Sequence, residues 1–371
     1  GRGGGVARRG APGVADGAKL GYPGADAGAD RLRAFAQELV ALYQAGGHWP
    51  WGEARALVRD ACRLLAAERS LERVNVAPGE HINVVGDVHG QFFDLVSIFE
   101  EHGLPSTSNP FLFNGDFVDR GAFSVEVLLT LLAWKVACPA GVHLARGNHE
   151  AHSMNIMFGF TGEVFTKYDG EAYDRFQDLF EALPLAHVIN DTVFVAHGGL
   201  PRKREVALSE IESLDRSANS PDRDRDKIFT DLLWADPCES AGLQPSPRGG
   251  DLANFGPDVT EAFLRANKLE YVIRSHEVKD QGFEWAHNKQ CLTVFSAPQY
   301  CDSGENLGAV IRLRAPEGGG RLEMEIRTFS AAAKPDFYVP AMAYSPMVPF
   351  CRQFLSQNAV QQLISFTRQR A

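Results

Sequence analysis

Phe111-Leu112-Phe113-Asn114-Gly115-Asp116-Phe117-Val118-Asp119-Arg120-Gly121 decides the fold. It opens as a short apolar run and ends as a polar stretch bounded by Gly, so a buried strand stops where chemistry begins. The same pattern recurs along the chain. Ile82–Val85 leads into Gly86-Asp87-Val88-His89-Gly90-Gln91, and Val142–Ala145 leads into Arg146-Gly147-Asn148-His149-Glu150. Val193–Val195 precedes Ala196-His197-Gly198-Gly199, and Tyr271–Ile273 precedes Arg274-Ser275-His276-Glu277. Leu292–Phe295 is a further strand, while Phe92–Glu101 and Ser124–Ala137 read as helices between them. This alternation predicts an α/β fold of stacked layers, with the polar segments at strand carboxyl ends, where such sheets place ligands.

Composition narrows the function. The 371 residues suffice for a substantial core, and 44% hydrophobic with 23% charged residues is ordinary for a globular chain. A net charge of -10 leaves no basic stripe to neutralise a phosphate backbone, so nucleic acid is not expected as a partner. It does not exclude a phosphorylated substrate, because a local metal centre inverts the sign of a pocket. No apolar run reaches the length of a membrane span, so no membrane partner is expected. The six scattered cysteines form no Cys-x-x-Cys pair and point to a reducing intracellular compartment, cytoplasm or nucleus.

Residues 1–30 are rich in Gly and Ala and read as a flexible leader. Residues 31–345 form the expected catalytic domain, opening with two helices between Arg31 and Leu71 that break near Gly46-Gly47. A layer packed on the domain's own core is the expected role of those helices, ahead of a docking surface. Residues 346–371 read as a helical tail with Phe354, Leu355, Val360, Leu363 and Ile364 toward one side.

The polar segments add up to a ligand set. Divalent ions in hydrolases take His nitrogen and carboxylate or amide oxygen, and a bimetallic site needs a bridging ligand. Asp87 and His89, two apart on one loop, can chelate one ion. Asp116 has two carboxylate oxygens and is the natural bridge, while Asn148, His197 and His276 complete a second ion. Three ligands on one side and four on the other leave positions for water and substrate.

These segments resemble the signature of the phosphoprotein phosphatase family, the metal-dependent serine/threonine phosphatases. The likeness continues through Leu232-Leu233-Trp234-Ala235-Asp236-Pro237, Arg248-Gly249 and Ser296-Ala297-Pro298-Gln299-Tyr300-Cys301, covering roughly residues 50–335. Phe158-Gly159-Phe160-Thr161-Gly162-Glu163-Val164 and Ile273-Arg274-Ser275-His276-Glu277-Val278-Lys279 resemble the protein phosphatase 5 type within it. The resemblance implies a calcineurin-like metallophosphoesterase sandwich of two mixed β-sheets flanked by helices. It implies two divalent ions per chain, manganese, iron or zinc, with manganese expected in isolated protein. Phosphoprotein substrates and a regulatory domain or subunit are the implied partners; relatives carry a helical-repeat domain, and no tetratricopeptide pattern appears in these residues.

The expected reaction is hydrolysis of phosphoserine and phosphothreonine monoesters by in-line attack of a metal-bridging hydroxide, with ions about 3.5–4 Å apart offsetting the dianion. Arg120 and Arg248 are the candidate phosphate clamp, since guanidinium forks match tetrahedral oxyanions; the family pattern is what selects Arg248. His149, directly after Asn148, is the candidate general acid, and Asp119 is placed to orient it. Asn148 and Tyr300 are expected beside the substrate phosphate. Gln299 departs from the Asn common in relatives, which leaves inhibitor sensitivity open. Arg146 is expected in a structural salt bridge. His81, His143, His187 and His287 read as structural, and His48, His102 and His152 as surface or capping residues. Asp222–Asp226 imitates the start of a calcium loop but lacks its Gly and Glu, and reads as a solvated loop. Three rivals are disfavoured: a phosphodiesterase by the likeness beyond His197, a binding scaffold by the complete ligand set, and a tyrosine phosphatase by the lack of a Cys-x5-Arg loop.

Overall fold

The strand-forming runs assemble into two mixed sheets stacked face to face in the computed structural model, which describes residues 20–216 and 227–347. The six-stranded sheet runs β1 (Leu71–Val74), β5 (Ala186–Ile189), β6 (Val193–Ala196), β9 (Tyr271–Arg274), β11 (Cys291–Val294) and β10 (Phe283–Ala286). The five-stranded sheet runs β13 (Glu323–Phe329), β12 (Gly308–Arg314), β2 (His81–Val85), β3 (Phe111–Phe113) and β4 (Val142–Leu144). β2, β3 and β4 are parallel, with β12 antiparallel to β2. A small hairpin of β7 (Leu243–Pro245) and β8 (Ala253–Phe255) stands apart.

The period-two alternation of each strand sorts side chains into separate cores. Ile82, Val84 and Leu112 meet Val193, Val195, Ile273, Leu292 and Val294 between the sheets. Val85, Phe111 and Phe113 turn the other way, into a helical layer. Phe194, Ala196 and Val272 face the opposite layer, which includes α8 (Leu208–Glu212), α9 (Ile228–Trp234) and α10 (Pro257–Asn267). The result is the layered sandwich of two mixed sheets flanked by helices.

The larger helical layer holds α1 (Ala29–Gln44), α2 (Trp51–Ala67), α3 (Phe92–His102), α4 (Ser124–Ala137), α5 (His152–Phe158), α6 (Phe160–Lys167) and α7 (Gly170–Ala182). Every residue of α4 is buried; apolar side chains dominate it, and the charged Glu126 and Lys135 are paired with Lys167 and Glu68. Its leucines, Leu128, Leu129, Leu131 and Leu132, each stabilise the fold by about 1.5–3 kcal/mol relative to exposure. α1 and α2 pack on α4, and α2 also on α7, so these helices serve the domain's own core.

Some boundaries differ from expectation. Leu20 and Tyr22 already pack on the helical layer, with the Trp49 Nε1–H donating to Leu20 O at 2.7 Å, so the segment from residue 20 is anchored. The remainder of the expected leader, the Asp222–Asp226 loop and the tail from residue 348 lie outside the described residues. Leu71–Val74 is a strand, not the end of a helix. His102 is buried in the last turn of α3 instead of lying at the surface. No helix among the described residues is long and apolar enough to cross a membrane.

Candidate metal centre

Each polar segment leaves the carboxyl end of a strand and turns sharply. His89, Asp116, Asp119, Arg120 and His276 all take positive φ, between 41° and 72°, a conformation that costs L-residues of order 1 kcal/mol or more. Two loops approach so closely that only glycine fits. A Cβ on Gly147 would lie 2.2 Å from Asp116 Oδ1, and one on Gly115 would lie 2.5 Å from Gly147 N. The Glu150 carboxylate locks this crossing by accepting the N–H groups of Asp116, Phe117 and Gly147, each at 2.8 Å.

The ring nitrogens are oriented by backbone carbonyls. His89 Nδ1 lies 3.0 Å from Val118 O and His197 Nδ1 lies 2.8 Å from Asn114 O, so each Nδ1 carries the proton and donates it. Both Nε2 atoms then turn lone pairs inward. His89 Nε2 faces Asp116 Oδ2 at 3.4 Å and Asp87 Oδ2 at 3.7 Å. His197 Nε2 faces Asn148 Oδ1 at 2.9 Å, Asp116 Oδ2 at 3.3 Å and His276 Nδ1 at 3.3 Å. Neutral imidazoles facing carboxylate and amide oxygens bring acceptors against acceptors, an arrangement that a cation stabilises. The residues therefore form two groups of donors that could hold divalent ions, with Asp116 common to both, and nitrogen–oxygen donors of this kind suit manganese, iron or zinc.

Charge is concentrated there. Asp87, Asp116, His197 and the ligand side of His89 are buried. Burial, with the Asp116 charge adding, lifts the Asp87 carboxyl to about 7 against the opposing pull of His197. Burial alone would lower His197, but in the metal-free site Asp116 and Asp87 outweigh it and raise the imidazole to about 9, so a proton there takes the place that a cation would fill, and metal binding would displace it. Burial takes His89 down to about 3 and pushes His276 well below the ordinary range.

His149 also comes within ligand distance of His89 and Asp116. Its Nδ1 is occupied by Asp119 Oδ2 at 2.8 Å, and its backbone N–H donates to Asp116 Oδ1 at 2.9 Å. Asp119 in turn accepts from Asn155 Nδ2 at 3.1 Å and Phe160 N–H at 2.8 Å, so its carboxylate is held from three sides. Burial opposes protonation of His149, but Asp116 and Asp119 outweigh it and raise the imidazole.

The two arginines are seated differently. The Arg120 guanidinium lies 3.8 Å over the Phe158 ring, and its Nε has no hydrogen-bond partner among the described residues. Arg248 sits on the loop of the β7–β8 hairpin, with Nε donating to Asp236 Oδ2 at 2.6 Å and a second nitrogen to His276 O at 3.3 Å. Behind it the buried Arg274 donates to Asp236 Oδ1 at 2.6 Å. The half-buried Tyr300 places its ring 5.2 Å from that of His89.

All eleven residues expected at the site are thus brought to one place. The supports were not anticipated: Glu150, Asn114, Asn155 and the Asp236–Arg274 pair. Glu150, Asp236 and Arg274 stood in the motifs, but nothing in their spacing assigns a carboxylate to three N–H groups. Arg146 forms no salt bridge among the described residues; its Nε and a terminal nitrogen donate to Glu150 O at 3.1 and 3.0 Å.

Residues 81–280 match the model of the calcineurin-like phosphoesterase family. Serine/threonine-protein phosphatase 5 of Arabidopsis thaliana is 51% identical over 289 residues, covering 78% of this chain and 52% of that protein. The human protein of the same name is 47% identical over 282 residues, covering 76% and 54%. The chain spans about half the length of the curated relatives it matches. Among solved structures, a protein serine/threonine phosphatase from Saccharomyces cerevisiae, described as similar to human phosphatase PP5, superposes with a TM-score of 0.78 at 40% identity. That match covers 84% of this chain and 99% of the yeast one. The chain belongs to the calcineurin-like phosphoesterase family, on the branch of the serine/threonine-protein phosphatases of the 5 type.

Proposed function

We propose that this chain hydrolyses phosphoserine and phosphothreonine monoesters in phosphoproteins. The observation that carries the reading is the convergence of inward-facing imidazole, carboxylate and amide donors beside two guanidinium groups. Asp87, His89 and Asp116 would hold one ion, and Asp116, Asn148, His197 and His276 the other, with manganese the ion of isolated protein. When bound, the pair supplies Lewis-acid neutralisation of the phosphate and an activated water.

The protein's own groups do the rest. Arg120 and Arg248 bind the equatorial phosphate oxygens, one braced by an aromatic face and the other by Asp236. The Asn148 amide and the Tyr300 ring border the same phosphate. His149 delivers a proton from Nε2 to the departing alkoxide oxygen, while Asp119 holds Nδ1–H and stabilises the charged ring. The charged surroundings suit a phosphorylated side chain, and a regulatory domain or subunit would control access. A reducing cytoplasmic or nuclear setting agrees with the free thiols of Cys62, Cys138, Cys238, Cys291 and Cys301.

The test is hydrolysis of a phosphoserine peptide with manganese added and then removed by chelator. Activity that appears with metal, disappears on chelation and is absent from Asp116→Asn is the expected result. A metal-loaded protein that cleaves only diesters would replace the monoester reading.

A further inference from the structure

We propose that Asp302 is a positioning residue for the phosphate clamp. It ties residues 334–342 to the loop that carries Tyr300, and that segment holds the backbone of Arg120. The inference rests on the functional reading above, since it concerns the same phosphate site.

The Asp302 carboxylate accepts three hydrogen bonds from one segment: from Lys334 Nζ, from the Tyr338 hydroxyl at 2.7 Å and from Ala341 N–H at 2.6 Å. The next residue, Met342, donates its N–H to Arg120 O at 2.6 Å. On the other side Arg120 N–H donates to Phe158 O at 3.0 Å, beneath the ring on which its guanidinium rests. Ser345 Oγ then donates to Met157 O at 2.6 Å, so the same segment also fastens the end of α5. Arg120 has φ of 69°, a strained conformation that persists only where neighbours hold it.

The loop at the other end of the tie is strained as well. Gln299, Cys301 and Asp302 have φ of 46°, 55° and 59°. Tyr300 N–H donates to Asn306 Oδ1 at 3.0 Å, so Tyr300 hangs between that contact and Asp302. One carboxylate therefore joins the two backbone segments that carry Arg120 and Tyr300. The hydrogen-bond partners of the Asp302 carboxylate are Lys334, Tyr338 and Ala341 and include none of the candidate ligands, so it acts through others. The segment has a separate apolar seat, with Phe337 and Tyr338 against Phe93 and Tyr338 against Phe123. Removing the carboxylate should thus loosen the tie without unfolding the domain.

Asp302→Ala is expected to raise KM for a phosphoserine peptide, and the inhibition constant of inorganic phosphate, by about fivefold, with kcat within about twofold. The clamp grips phosphate in both ground and transition states, which is why KM moves. Asp302→Asn keeps one of the two acceptor oxygens, enough for Ala341 N–H or for the Tyr338 hydroxyl but not both, and should restore part of the loss. A merely structural role would reduce the active fraction, so kcat would fall with KM unchanged, and that result overturns the proposal. Tyr338→Phe removes one donor and keeps the ring, and carries the same test should Asp302→Ala fail to fold. If the wild type lacks phosphatase activity, the functional reading fails separately. Calorimetric binding of inorganic phosphate to the manganese-loaded proteins then decides the tie: weaker binding by the variant supports it, and equal binding, or none by either, overturns it.

Discussion

Asp236→Asn separates positioning of Arg248 from everything else at the site. The carboxylate bridges two guanidinium groups, at 2.6 Å from Arg274 and 2.6 Å from Arg248. The Arg274 side chain is 0% exposed, and removing one partner of a buried pair costs about 3–5 kcal/mol. Arg274 keeps Glu277 at 2.8 Å and the carbonyls of Gly198 and Ala235, and Asn retains one acceptor, so about 2–3 kcal/mol is the expected loss in urea unfolding. Arg248 is 34% exposed and would swing toward water, lowering kcat/KM by about tenfold. The decisive assay is a double-mutant cycle with Arg248→Met. If Asp236 serves catalysis only through Arg248, the double variant is no slower than Arg248→Met alone; additive losses in kcat/KM would refute the reasoning. The stability term has its own pH signature. Burial would raise the Asp236 carboxyl, but Arg274 and Arg248 outweigh it and hold it below the ordinary 3.8. Its stabilisation is therefore present above that ordinary value and is lost as pH falls through the lower folded one, so wild type and Asp236→Asn should converge in stability only in strong acid.

Three further outcomes are expected. His149→Ala should lose far more activity on alkyl phosphates than on aryl phosphates, whose leaving groups need little protonation; equal losses in paired assays would remove the general-acid role. Gly147→Ala should displace Asp116, because the added Cβ would sit 2.2 Å from its Oδ1 and 2.3 Å from its N; elemental analysis should show depleted metal, and full occupancy would contradict the crossing. Manganese at a hundredfold excess over Kd should stabilise the fold by about 2.7 kcal/mol for each site filled, read as a shift in urea midpoint. No shift would mean that the inward-facing donors do not bind it.

The parts of this fold that were legible in sequence are those with a local signal. β2, β3, β4 and β6 each show an apolar run stopped by a Gly-bearing polar segment, β9 and β11 show apolar runs that end at Arg274 and Ser296, and α4 shows a largely apolar helix. β1, β5, β12 and β13 lack such a signal. β13 alternates exposed and half-buried residues, and β12 is a continuous run with no chemistry after it. Candidate ligands were legible because a metal restricts residue types. Their supports were not, because Glu150 or Asp236 looks like any acidic residue until the chain brings Gly147 or Arg274 beside it. The same reason hid the burial of His102 and the carbonyl partner of Arg146.

β12 has a consequence for how the molecule is made. It lies between β13 and β2, pairing Ile311 with Val84 and Leu313 with Ile82 across more than half the chain. Until residue 314 has emerged from the ribosome, β2 presents an open edge, and at ~5–20 residues per second that interval lasts roughly 10–45 s. An unpaired strand bordering an apolar face is a template for wrong pairing. The nascent chain therefore carries its first metal loop, with Asp87 and His89, on an unfinished sheet throughout that interval, and its last, with His276, only near the end of it. Where this one strand is encoded thus sets how long the edge of β2 stays open to wrong pairing.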